Sequence, residues 1–87
     1  MKGLAISPTA QRLHWTRVER PEPYDVLDAR CVPDWHVTYE LGTRRGVCFV
    51  RRAVRLGVHE TNVFETPPGP EPAVFLMWQA VVDGRAV

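Results

Sequence analysis

From Trp35 to Leu41 the chain alternates Trp35, Val37, Tyr39 and Leu41 with His36, Thr38 and Glu40. A period of two sends every second side chain to one face of an extended strand, so the stretch reads as a half-buried β-strand whose register is fixed by that pattern. The loop-forming run Gly42-Thr43-Arg44-Arg45-Gly46 and a returning apolar run, Val47-Cys48-Phe49-Val50, complete a β-hairpin in sequence form.

The flanking segments extend this hairpin into a meander. Between Tyr24 and Val32, Leu27, Ala29 and Cys31 share one parity and Asp28 and Arg30 the other, and Pro33-Asp34 supplies a turn into Trp35. Strands are therefore expected at 25–31, 35–41 and 46–52. The first 20 residues carry a helix-start signal at Ser7-Pro8, but Leu13 and Trp15 also fit a strand, and the segment is read as extended. Pro21-Glu22-Pro23 breaks whatever precedes it, because proline lacks an amide donor and pushes its predecessor out of the helical region. Pro67 to Pro72 reads as a semi-rigid loop.

Residues 71–83 admit two readings. Val74, Met77, Trp78, Val81 and Val82 fall at helical spacing with Gly84 at a C-cap position, yet Ala73 to Trp78 is also rich in strand formers. An 87-residue chain has room for a single domain, 1–87, with one small core. The expected class is α+β: a small antiparallel β-sheet, a meander of three or more strands, packed against a C-terminal helix or a further strand.

Chemistry is less legible. Net charge is +1, which gives no global field favouring nucleic acid or anionic membrane. Cys31 and Cys48 lie far apart and outside any short metal-ligand spacing, and both read as small apolar residues. His14, His36 and His59 are scattered, serine is limited to Ser7, and no phosphate-cradling or nucleophile motif occurs. No catalytic, metal-binding or cofactor-binding residue is assigned, and no cofactor is expected. With neither a leader-like segment nor a membrane-length apolar run, the expected location is cytoplasmic.

One local asymmetry stands out. Arg44, Arg45, Arg51, Arg52 and Arg55 lie within twelve residues that contain no acid. The planar guanidinium pairs bidentately with carboxylates or phosphates, so the arginine-bearing hairpin is a candidate partner-binding patch; the alternative is a solvated strand face that protects a sheet edge. Tryptophan and arginine are common hot-spot residues, and Trp15, in the least patterned segment, is the candidate aromatic. The expected partner-binding residues are Arg44, Arg45, Arg51, Arg52 and Trp15.

A different class is carried by residues 49–66. Ala53-Val54-Arg55-Leu56-Gly57-Val58 followed by Thr61-Asn62-Val63 resembles a helix-turn-helix, with Gly57 in the turn and His59 to Asn62 facing a groove. The pattern departs at Arg52 and Thr66, and Pro67-Pro68 would truncate the second helix.

Over residues 24–80 the order of features also looks like the small bacterial domain-of-unknown-function family 2442. Val32-Pro33-Asp34-Trp35, the alternating strand, Gly42-Thr43, the returning strand, Gly57-Val58 with Phe64, and an apolar stretch ending at Trp78 carry the similarity. Leu41 before Gly42 and Gln79 after Trp78 depart from the family pattern. The resemblance implies a compact α+β fold without known catalytic residues and an antitoxin-like tendency to act on a partner protein. Together these features lead to the expectation of a non-enzymatic protein-binding module that inhibits or regulates another protein. A helix-turn-helix DNA-binding regulator is the alternative, and a homodimer is left open.

Overall fold

The computed structural model describes residues 2–87, with side chains from Gly3 onward. Six strands, β1 (Lys2–Gly3), β2 (Thr16–Arg17), β3 (Asp25–Val32), β4 (Val37–Arg44), β5 (Val47–Arg55) and β6 (Thr61–Glu65), precede one helix, α1 (Glu71–Val82). They form a single sheet in the order β1-β3-β4-β5-β6-β2. From β3 to β2 every neighbouring pair is antiparallel, and only the two-residue β1 adds a parallel edge. The fold is thus α+β with a meander-like sheet, and residues 71–82 take the helical alternative.

The expected alternation holds from Val37 onward. Val37, Tyr39 and Leu41 are buried on one face and are joined there by Cys48 and Val50 of β5 and Val32 of β3. Trp35 does not belong to this strand. Pro33, in the first turn, favours a short 3₁₀ turn, Pro33–Trp35, and His36 adopts a left-handed conformation (φ 52°), so Trp35 is carried into solvent before the pleat begins. The hairpin loop is also tighter than Gly42 to Gly46. Arg44 pairs with Val47, leaving Arg45 (φ 54°) and Gly46 (φ 79°) as the two turn residues, both with the positive φ that matches strand twist.

Gly42 is therefore a strand residue, and its lack of a side chain is required. A Cβ there would lie 2.8 Å from Phe49 Cζ and 3.1 Å from Tyr24 Cδ2. The missing side chain lets two rings close over the face opposite the core, with Tyr24 and Phe49 edge to face at 5.6 Å.

Helix α1 covers the core face through Val74, Trp78 and Val81, an i, i+4, i+7 stripe. Pro72 sits in the first turn, where its missing N–H has no partner to lose. At the other end Gly84 (φ 75°) donates to the Val81 carbonyl at 3.0 Å and Arg85 donates to Ala80 at 2.8 Å, the paired bonds of a Schellman cap. The Trp78 indole N–H reaches Asp28 Oδ2 at 3.1 Å, tying helix to sheet.

The rest of the cover is the extended strap of residues 4–15. It crosses from the β3 edge to the β6 edge and presses Leu4, Ile6, Leu13 and Trp15 against the core. Its backbone bonds to the tail that follows α1: Ser7 donates to Gly84, Gln11 to Arg85 and Leu13 to Val87, while Val87 donates back to Gln11. At the loop after β6, Pro67 and Pro68 interrupt pairing with β5. The buried Thr66 hydroxyl accepts the Val50 amide at 2.9 Å, and Gly69 resumes the ladder with Cys48.

Two outcomes test this assembly. Gly84→Ala places a methyl against the Ala5 carbonyl oxygen in a left-handed conformation, and should lower stability by about 2–4 kcal/mol in urea unfolding, more than the ordinary penalty for alanine at such a site. Asp28 gives a pH signature. Burial pushes its carboxyl up, but hydrogen bonds from Trp78, Arg30 and the Ala29 amide outweigh that and hold it below its ordinary 3.8. Its ionised form therefore stabilises the fold above that pH, and the contribution is lost as pH falls through the depressed value. Asp28→Asn should flatten the decline in urea midpoint between about pH 5 and pH 3.

Candidate partner-binding surface

The sheet's two faces divide the arginines of the hairpin by parity. On the face away from α1, Glu40, Arg51 and Glu65 lie side by side across β4, β5 and β6. Arg51 Nε is 3.6 Å from Glu40 and Arg51 Nη1 is 3.6 Å from Glu65, ion-pair rather than hydrogen-bond distances, and its guanidinium lies 4.7 Å over the Tyr24 ring. Tyr24 donates its hydroxyl to Glu40 at 2.6 Å. Burial first, then that hydrogen bond and the Glu40 charge, push the Tyr24 phenol up to about 12.

Arg44 closes this network. Its Nη1 and Nη2 grip the two Glu65 oxygens at 3.2 and 3.3 Å, and its Nη2 and Nε also donate to the Glu22 and Pro23 carbonyls. The guanidinium lies 4.6 Å from the Phe49 ring centroid. Most of Arg44's donors are engaged, so it fastens the 18–24 loop and β6 to the hairpin. Arg45, at the turn, is 79% exposed and meets only Glu22, at 3.3 Å.

Arg52 has the opposite parity and a different environment. Its cross-strand neighbours on the helix side of the sheet are Tyr39 and Phe64, and Arg17 of β2 stands beyond Phe64. The row across the sheet thus reads Arg30, Tyr39, Arg52, Phe64, Arg17. The half-buried Trp15 ring packs on Tyr39 at 6.1 Å with its indole N–H on the Val87 carbonyl, and the Arg52 guanidinium lies 6.0 Å from the same Tyr39 ring. Burial raises the Tyr39 phenol, and the nearby Arg52 and Arg12 guanidinium groups oppose that rise.

Ion pairing divides the arginines, though not by face. Arg30, Arg44, Arg45, Arg51 and Arg85 each reach a carboxylate. Among the described residues, Arg12, Arg17, Arg20, Arg52 and Arg55 form no ion pair, and Arg17 has only the Asn62 side-chain oxygen at 3.1 Å. Arg52 Nε and the Tyr39 hydroxyl are buried without hydrogen-bond partners. Such orphaned polar groups are few in native proteins, and Arg51 Nε and Nη1 on the other face share the condition. Of the five residues singled out in the sequence, the structure brings Trp15 and Arg52 together around Tyr39. It places Arg44 and Arg51 in a separate internal network and leaves Arg45 on the turn.

Arg12, Arg17 and Phe64 were not singled out, because their proximity depends on β2 pairing with β6. Residues 49–66 form β5, a short loop and β6, so the helix-turn-helix alternative has no helices here. Valines at 47, 50 and 54 with Phe49 favour the strand, and Gly57 turns a β-hairpin rather than a helix pair. His14, His36 and His59 are all exposed and separate, and no group of three metal-ligating side chains converges among the described residues. Cys48 is buried and Cys31 half-buried, both as free thiols. No helix among the described residues is long and apolar enough to cross a membrane. Comparison with protein-family models, curated proteins and solved structures gave no match to this chain.

The two arginine environments should respond differently to mutation. Arg44→Glu sets a second carboxylate against Glu65, with both native side chains mostly buried, and should cost about 2–4 kcal/mol and lower Tm by roughly 10 °C or more. Arg45→Asn, which keeps a residue tolerant of the left-handed turn, should change stability by less than about 0.5 kcal/mol. Thermal melts by circular dichroism measure both.

Proposed function

We propose that this protein is a non-enzymatic protein-binding module that takes an acidic surface of its partner onto the row formed by Arg52, Phe64 and Arg17, with Arg12 and Trp15 at its border, and thereby blocks or regulates that partner. The observation that carries this proposal is local charge without an ion pair: Arg52 lies beside the Tyr39 ring, Arg17 is in register with Phe64, and Arg12 is near enough to act on the Tyr39 phenol, while none of the three reaches a carboxylate among the described residues. An incoming carboxylate would supply the missing acceptor, and charge-assisted bonds of this kind are among the stronger polar contacts. At the half-buried Arg52 the lower local dielectric strengthens the attraction, while Phe64 and Trp15 offer rigid apolar area at small entropic cost.

The resemblance to family 2442, with its antitoxin-like members, is in keeping with a small inhibitory partner of this kind. A strand-built row on a chain of net charge +1 fits a local acidic patch on a protein better than the extended phosphate track of a duplex, which calls for more cationic contacts.

The test is capture from cells of origin after nuclease treatment, comparing wild type with Arg12→Glu/Arg17→Glu and, separately, Arg52→Gln. The first pair is exposed and should leave folding intact, whereas capture should fall at least tenfold. Arg45→Asn serves as the control and should capture like wild type. Equal capture by the charge-reversed protein, or loss of all capture on nuclease treatment, would overturn the proposal.

A further inference from the structure

The two edges of the sheet are closed unequally. At one edge β2 pairs with β6 at Phe64 and Glu65, and the Val18 amide donates to the Val63 carbonyl, so most of that five-residue strand is covered. At the other edge the two-residue β1 pairs with β3 only at Arg30 and Cys31, which leaves Asp25 to Ala29 with no strand on that side among the described residues. Val26 and Leu27, 48% and 52% exposed, stand on this open stretch. A bare strand edge carrying apolar side chains is a template for pairing with another copy of the same chain.

Backbone groups of a strand alternate between its two sides. The Cys31 carbonyl faces outward, where it accepts the Leu4 amide at 2.9 Å, and Ala29, two residues earlier, faces the same way. Neither outward group of Ala29 is free. Its N–H donates to Asp28 Oδ1 at 2.9 Å, and its carbonyl accepts Arg30 Nη1 at 2.9 Å. The same Arg30 nitrogen also donates to Asp28 Oδ1, so the two side chains close a ring over the edge. Asp28 Oδ2 is held in turn by the Trp78 indole, which fixes the carboxylate against α1. Just before this clamp the pairing of β3 with β4 shifts register between Val26 and Asp28, so the exposed apolar pair lies at a bulge rather than on a regular ladder.

We infer that Asp28 and Arg30 form an edge lock: they occupy the hydrogen-bonding groups through which a second copy would add to β3, and so keep copies of this chain from assembling strand to strand. An incoming strand would have to break both Ala29 bonds and part the Arg30 guanidinium, whose side chain is only 15% exposed, from its carboxylate. The lock lies at the opposite edge of the sheet from β6 and β2, so it does not rest on the proposed partner site and can fail independently of it.

Sedimentation equilibrium of the full chain and amide hydrogen exchange test the lock together. Wild type should remain monomeric from about 1 to 200 μM, whereas Arg30→Met, which keeps the Trp78–Asp28 bond and frees the Ala29 carbonyl, should associate at least tenfold more strongly. Adding Leu27→Lys sets a charge beside the freed edge and should return that variant to a monomer. In wild type the Ala29 amide should exchange at least tenfold more slowly than an unstructured one although no strand covers it, a measurement that holds even if Arg30→Met fails to fold. A folded Arg30→Met protein that stays monomeric over that range, association that Leu27→Lys leaves unchanged, or an unprotected Ala29 amide would each overturn the inference. So would a wild type that already associates and is dispersed by Leu27→Lys.

Discussion

The two-faced pairing of β4 with β5 is the constraint on which the rest of this molecule depends. One parity delivers Tyr39, Leu41, Cys48 and Val50 to the core, and the other delivers Glu40, Gly42, Phe49 and Arg51 to a polar and aromatic layer behind it. A slip of one residue would exchange the two sets, placing carboxylates under α1 and valines in solvent. Register is therefore held from both sides at once, by apolar burial on one and by ion pairs on the other.

The second layer is unusual in construction. Arg44 and Arg51 are not arranged as solvent-seeking charges: their guanidinium planes lie over Tyr24 and Phe49 and share Glu65 between them. Each stem thus covers a ring while its head is neutralised, giving the sheet a partial cover on the face that α1 leaves bare. The open space at Gly42 makes this layer fit, since any side chain there would displace the Phe49 ring.

Much of this was legible in the sequence where a local rule governs it. The meander followed from alternation at Val37, Tyr39 and Leu41, and the cap at Gly84 from helix punctuation. What escaped depends on non-local pairing. Trp35 shares the parity of Tyr39, but Pro33 and a left-handed His36 delay the strand to Val37. Clustering of arginines along the chain suggested a single patch, whereas pleating sends Arg51 and Arg52 to opposite faces, so neighbours in sequence became members of different networks. The row of Arg52 with Phe64 and Arg17 joins residues from three distant segments, and only the sheet order brings them together. Residues 71–82 showed both periodicities; packing of Val74, Trp78 and Val81 against an already formed sheet decided between them.

The bond from the Trp15 indole to the Val87 carbonyl spans 72 positions of chain, and the strap makes four further backbone links to the same tail. Closing so wide a loop is entropically unfavourable until the segments between have collapsed, which favours forming the local hairpins ahead of the strap. The indole of Trp15 therefore changes its surroundings when the strap meets the tail. Its environment is set only when both extremities of the described chain have met, which makes the rate of that encounter a property of topology more than of any single contact.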